Sequence, residues 1–204
     1  MPVDLNTLLA KDEVAERLSR RFDFRLDVDP HQAGWFTIDG VDDIQYIGGE
    51  GSGGVFVQLP DLRILYVSSE GEAGVIATDF SAFIQLIVAH PYWQDLLTFS
   101  GGGKLSEMRR ACPALEASIL DEEEDLEEAR DFVIAELALS EPADAIAALH
   151  RAVSTSNVIV RNSFDDKPFD GLFNKFTADQ SPSLRESDRS SLRPARASYC
   201  ADDR

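Results

Sequence analysis

Cysteine, histidine and positive charge are all in short supply in this chain of 204 residues. Its two cysteines, Cys112 and Cys200, exclude a disulfide scaffold of the kind that staples small secreted domains, and they suit a reducing compartment. The three histidines, His31, His90 and His150, are scattered. The chain has no His-x-x-x-His, no Cys-x-x-Cys and no Asp-x-Asp-x-Asp-Gly loop, so neither a metal nor any other cofactor is expected. Basic residues number 19 against 37 acidic ones, a net charge of -18. That imbalance argues against nucleic acid or an anionic membrane as partner, because both carry the same sign. No stretch approaches the about 20 apolar residues of a membrane span. Residues 1–11 lack a basic segment followed by an apolar one, so no signal peptide is expected and a cytoplasmic location is.

With 44% hydrophobic residues the chain has enough apolar material for a core. Residues 5–22 carry Leu5, Leu8, Leu9, Val14, Leu18 and Phe22 on one stripe, the pattern of an amphipathic helix. Between 35 and 78 the pattern changes to short apolar runs separated by turns: Trp35–Ile38, Ile44–Ile47, Val55–Leu59, Ile64–Val67 and Val75–Ala77. This predicts about five strands in an antiparallel meander. Helical spacing returns after Asp79, with Phe80, Phe83, Ile84, Ile87 and Val88 on one helix and Trp93, Leu96 and Leu97 on a short second one. Gly101-Gly102-Gly103 reads as a flexible break and 104–111 as a modest helix. Residues 121–139 predict an acidic helix marked by Leu126, Ala129, Val133 and Leu137, and Pro142 opens another. The fold class expected is α+β, with a central antiparallel sheet, an N-terminal helix and C-terminal helices packed on it. The expected domains are an α+β unit over 1–98, a helical extension over 99–177, and a disordered or loosely attached tail over 178–204, rich in serine and arginine.

The search for chemistry yields surfaces rather than a reaction centre. Gly49-Glu50-Gly51-Ser52-Gly53-Gly54 spells G-x-G-x-x-G, but a strand-like run follows it. A phosphate site needs a helix N-terminus there. The glycines are therefore expected to permit positive φ in a connection between strands. Ser69 has no nucleophile elbow around it and no assigned base. His90, before Pro91 at a helix end, is expected to meet the helix dipole as an imidazolium. Trp93 is either an interface anchor or an aromatic closing the core. Residues 121–136 hold nine acids and one arginine, Arg130. That run is either a solvated face or a docking surface for a basic protein.

One resemblance adds to this. The stretch Ile47-Gly48-Gly49-Glu50-Gly51-Ser52-Gly53-Gly54-Val55-Phe56, the strand Ile64–Val67, the turn Glu70-Gly71-Glu72-Ala73-Gly74 and the helix carrying Phe80 and Phe83-Ile84 resemble the SUKH superfamily. That group includes fungal cell-wall assembly regulator-like proteins and many bacterial immunity proteins. The resemblance covers roughly residues 5–98. It implies an α+β domain with a binding role, often the neutralisation of a toxin delivered by a neighbouring cell, and it brings no catalytic residues with it. The expected function is a non-enzymatic protein-binding module, an immunity protein for a basic polymorphic toxin domain, of which a nuclease is the type the acid excess suits. The alternatives are an intracellular regulatory or scaffold protein and an unrecognised hydrolase. The candidate partner-binding residues are Glu50, Ser69, Glu70, Glu72, Trp93, Glu122, Glu123 and Glu127.

Overall fold

Three aspartates start helices by the same device. The carboxylates of Asp4, Asp79 and Asp144 accept from the free amides of Thr7, Ala82 and Ala147 at 2.7, 2.8 and 2.9 Å, satisfying first-turn donors that have no partner within the helix. The computed structural model describes residues 3–27, 34–140 and 144–180. In order these form α1 (Leu5–Leu9), α2 (Asp12–Arg21), β1 (Phe36–Ile38), β2 (Gln45–Gly49), β3 (Val55–Gln58), β4 (Ile64–Val67), β5 (Ala73–Ala77), α3 (Phe80–Ala89), α4 (Trp93–Thr98), α5 (Leu105–Glu122), α6 (Leu126–Leu137), α7 (Ala145–Ser154) and β6 (Val160–Asn162). The fold is α+β. Pro142, expected to open a helix, lies outside the described residues, as does the tail beyond Gln180.

Strands β2 to β5 form a four-stranded antiparallel meander in sequence order. All five expected strands are present, but β1 leaves the meander. It pairs instead with β6, antiparallel, with Phe36 opposite Asn162 and Ile38 opposite Val160. Such a two-stranded ribbon is marginal alone. It holds because Phe36, Ile38 and Val160 pack beneath Val55, Val57, Leu65, Val67 and Val75 on one face of the meander, together with Ala152 of α7. The opposite face presents Ile47, Phe56, Ile64, Tyr66 and Ile76 to the helices. Both faces are therefore covered, which is why Ile64-Leu65-Tyr66-Val67 is a continuous apolar run and buried throughout.

Aromatic rings fill the helical side. Phe24, Phe56 and Phe83 meet with centroids 4.8 to 5.6 Å apart. Phe24 reaches this cluster because Arg25 bonds to Gly49 on the free edge of β2, at 2.8 and 2.9 Å. Gly48 is required there: a Cβ would strike the Phe24 ring and the Arg25 carbonyl oxygen.

Several helix limits differ from expectation. The helix over 5–22 is two helices, broken at Ala10-Lys11, and Leu9 is 55% exposed rather than on the stripe. Helix α5 continues to Glu122 through Pro113. A proline in mid-helix costs about 3 kcal/mol, and here Met108, Ala111, Cys112 and Leu115 are buried on one stripe spanning it. The acidic helix begins at Leu126, after a break at 123–125. Its four expected apolar marks are all buried. The glycine run 101–103 is an ordered turn. All three residues have positive φ, and Gly101 and Gly102 donate to the carbonyls of Phe176 and Asn174, each at 2.8 Å. The start of the expected tail is also held, by Asp179 paired with Arg110 at 2.6 Å. Residues 99–177 are not all helical: β6 and the irregular 163–177 segment lie against the sheet, with Asp170 bridging Glu72 beside β5.

Candidate functional site

The turn after β2 is organised by one carboxylate. Glu50 is 3% exposed. It accepts from the amides of Ser52 and Gly54 at 2.6 and 2.7 Å, from the Ser52 hydroxyl at 2.6 Å and from the Tyr66 hydroxyl at 3.2 Å. Burial pushes its carboxyl up, but these donors together hold it below the ordinary range. Glu50 is thus the internal post of a β-hairpin and not, as expected, a partner-facing residue. The glycines act more by close approach than by positive φ. A Cβ on Gly54 would lie 2.5 Å from Glu50 Oε1 and 2.7 Å from the Tyr66 hydroxyl, while Gly53 has φ of +99°. A strand follows the turn, so the G-x-G-x-x-G letters sit in a hairpin and not at a helix N-terminus.

The β4–β5 turn stands beside this one. Ser69 donates to the Ser52 carbonyl at 3.0 Å and ties the two hairpin ends together. Ser68 accepts from the Glu70 amide at 3.0 Å. Behind them, Trp93 of α4 meets Tyr66 edge-on, centroids 5.0 Å apart, and Gln94 donates to the Tyr66 hydroxyl at 2.8 Å. Trp93 is only 4% exposed, which favours the core-closing role over the interface anchor.

A cavity of about 180 Å³ opens between these elements. Its walls come from Ser52, Ser68, Glu70 and Glu72 on the turns, Trp93 and Leu97 on α4, and Leu172 from the 163–177 segment. Glu70 is exposed and Glu72 half-buried. Burial raises the Glu72 carboxyl above its ordinary range, and the neighbouring charges of Glu70 and Asp170 raise it further. Among the described residues none of these three acids has an ion-pair partner. The structure thus gathers Glu70, Glu72, Ser69 and Trp93 at or around one cavity. It also adds Leu97 and Leu172 to the wall, and Asp170 behind Glu72, none of which the sequence singles out as part of a site. Asp170 and Leu172 come from about a hundred residues away, with no local signal to link them.

The acidic run is elsewhere, and part of its charge is answered within the chain. Arg21 of α2 pairs with Glu123 and, at 2.8 Å, with Asp125, while Arg17 lies 3.7 Å from Glu128. Glu123 is therefore committed to α2. Glu122 and Glu127 remain exposed.

A second polar centre lies inside the helical core. Arg130, 3% exposed, donates to the carbonyls of Val88 and Ala89 at 3.1 and 3.2 Å, the last residues of α3. It also binds Glu116, at 3.0 Å through Nη2. Glu116 accepts from Tyr92 at 2.7 Å, and Tyr92 lies 3.0 Å from His90 Nδ1. His90 is 1% exposed, and burial pushes its pKa down to about 4. It is neutral, so the cation at the α3 C-terminus is Arg130 and not the imidazolium that the sequence suggested. Cys112 beside it is disulfide-bonded, so it lends no support to the reducing compartment expected from two cysteines. His150 lies 2.9 Å from the Gly103 carbonyl, and neither it nor His90 lines the cavity. Among the described residues no group of three or more His, Cys, Asp or Glu could hold a metal ion, and no helix is long and apolar enough to cross a membrane. Comparison with protein-family models, with curated proteins and with solved structures finds no match.

Proposed function

We propose that this chain is a non-enzymatic protein-binding module, an immunity-type protein that masks a basic toxin domain. The observation that carries the reading is the cavity at the hairpin ends, where Glu70 and Glu72 line the wall, with Asp170 close to Glu72, and among the described residues none of the three has an ion-pair partner, while other carboxylates are paired. Like charges held close repel, and an arriving cationic surface relieves that repulsion. The net charge of -18 supports the same reading by drawing in basic proteins over a longer range. A nuclease toxin, whose substrate channel is positive, is the class that fits best. The resemblance of residues 5–98 to the SUKH superfamily agrees with this role. Co-purification from the native host, with mass spectrometry of what is retained, tests it. A basic protein should be held by the wild type in about 0.1 M salt and released near 1 M, where the Debye length falls to about 3 Å. The Glu70→Lys, Glu72→Lys double variant should fail to retain it. Equal retention by that variant would move the binding surface elsewhere, to the exposed Glu122 and Glu127 first.

A further inference from the structure

We propose that the cavity between the β2–β3 turn, the β4–β5 turn and α4 is a socket for a single arginine side chain presented by the partner. This rests on the reading of the chain as a protein-binding module and makes it specific. At about 180 Å³ the cavity is well below the about 300–1,000 Å³ of pockets that enclose drug-sized ligands. Its size suits one long side chain better than a nucleotide or a sugar. Its chemistry is divided in the way such a side chain is divided. Leu97, Leu172 and Trp93 offer apolar surface for a methylene stem. Glu70 and Glu72, with the Ser68 hydroxyl, offer acceptors for a cationic head that has donors only.

Guanidinium is favoured over ammonium on two grounds. A guanidinium gives up its hydration more readily on entering a partly enclosed site, and its rigid fork of five donors can meet two carboxylates at once. The carboxylates carry the charge this needs. Among the described residues no lysine or arginine pairs with Glu70 or Glu72, and the nearest charges acting on Glu72 are Glu70 and Asp170, both negative. The socket is also rigid. Ser69 ties the turns together, and the Asp170 backbone accepts from the Ala73 amide at 2.8 Å and donates to the Gly71 carbonyl at 2.9 Å. Little ordering is therefore left to be done on binding.

The probe is N-acetyl-arginine N-methylamide, titrated into the full-length, isotope-labelled protein at low salt and followed by amide chemical shifts. A saturable shift confined to the amides of residues 52–54, 68–74, 94–98 and 172–174 is expected, with a dissociation constant of millimolar order for so small a fragment. The lysine analogue should bind at least fivefold more weakly, and the neutral citrulline analogue should not bind. Glu72→Gln should weaken the arginine probe about tenfold, since it removes a charge-assisted contact. Thr98→Phe, which fills the cavity and leaves both carboxylates in place, should abolish the shifts. No shift at these amides, equal binding of the lysine analogue, or binding undiminished by Thr98→Phe would each overturn the socket. If the co-purified partner is retained by Thr98→Phe but lost by the Glu70→Lys, Glu72→Lys variant, the protein-binding reading stands and the arginine socket fails. If no basic partner is captured at all while the arginine probe binds, the socket stands and the immunity reading fails.

Discussion

Carboxylates are treated in opposite ways at the two polar centres of this molecule. At the α3–α5–α6 junction Glu116 is matched by Arg130, which also takes the last carbonyls of α3, and Tyr92 and His90 complete the set. At the hairpin ends Glu72 feels the negative charges of Glu70 and Asp170, and among the described residues none of the three has an ion-pair partner. The first arrangement is what burial demands, because an unpaired charge inside a core costs several kcal/mol. The second is tolerated only because water still reaches it. It leaves interaction energy unused in the free protein, which a cationic partner could recover. Glu50 is an intermediate case: more deeply buried than the half-buried Glu116, yet balanced by amides and hydroxyls instead of a cation.

The largest expected effect comes from breaking the internal centre. Arg130→Met should destabilise the fold by about 3–5 kcal/mol, since it strands Glu116 and uncaps α3. The pair Arg130→Met, Glu116→Leu should recover most of that. Urea unfolding of the two variants checks it, and equal losses would mean that the cap on α3 matters more than the ion pair.

Acid should act next. The folded-state pKa of His90 is pushed down to about 4 from an ordinary 6.5, so between those values the unfolded chain binds a proton that the folded one refuses. Stability from this group is full above about pH 6.5 and is lost as pH falls toward 4, by about 3 kcal/mol. His90→Gln should flatten that part of the stability profile. A wild-type profile that is flat from pH 6.5 to 4 would show that the junction admits charge.

Glu50→Gln sharpens the intermediate case. The amide nitrogen of glutamine would meet a backbone N–H at one of the two positions the carboxylate oxygens now hold. The expected loss is about 2 kcal/mol. Because the donors hold the Glu50 carboxyl below its ordinary range, its stabilisation is present above that range and lost as pH falls through the lowered value. The variant should therefore differ from wild type at pH 7 and converge with it in strong acid, as read by thermal unfolding.

The smallest effect has the opposite sign. The carboxyl of Glu72 is raised by burial and by Glu70 and Asp170, so it favours the folded state when protonated and disfavours it once ionised. Glu72→Gln should raise the melting temperature slightly at pH 7, by a degree or two on the scale of surface charge effects. The gain should vanish below the ordinary glutamate range. A loss of stability at pH 7 would mean that Glu72 has a stabilising role within the chain and that the contrast between the two centres is false.

The two centres also differ in how far they could be read in advance. The β4–β5 turn is local, so Ser69, Glu70 and Glu72 were legible as a group. The walls that make it a cavity were not, because Leu172 and Asn174 approach from a segment with no periodicity of its own. Trp93 was visible as an aromatic of two possible roles, and only its packing on Phe56 and Tyr66 decides for the core. Glu50 looked like a surface acid because it stands among glycines. A glycine turn is also where backbone amides lie open to fold around a carboxylate.

Sequence by itself determined what depends on neighbours in the chain: the α+β class, the places of the five meander-region strands, the start of a helix just after Asp79, and the apolar stripe Leu126, Ala129, Val133, Leu137 that turns α6 inward. Period and capping are set by residues within a turn of one another, so composition and spacing carry them. Tertiary structure alone decided the pairing of β1 with β6, the passage of α5 through Pro113, the neutral state of His90 and the capping of α3 by Arg130. Each depends on free energy gained between residues tens of positions apart, where burial and charge pairing outweigh the local preference.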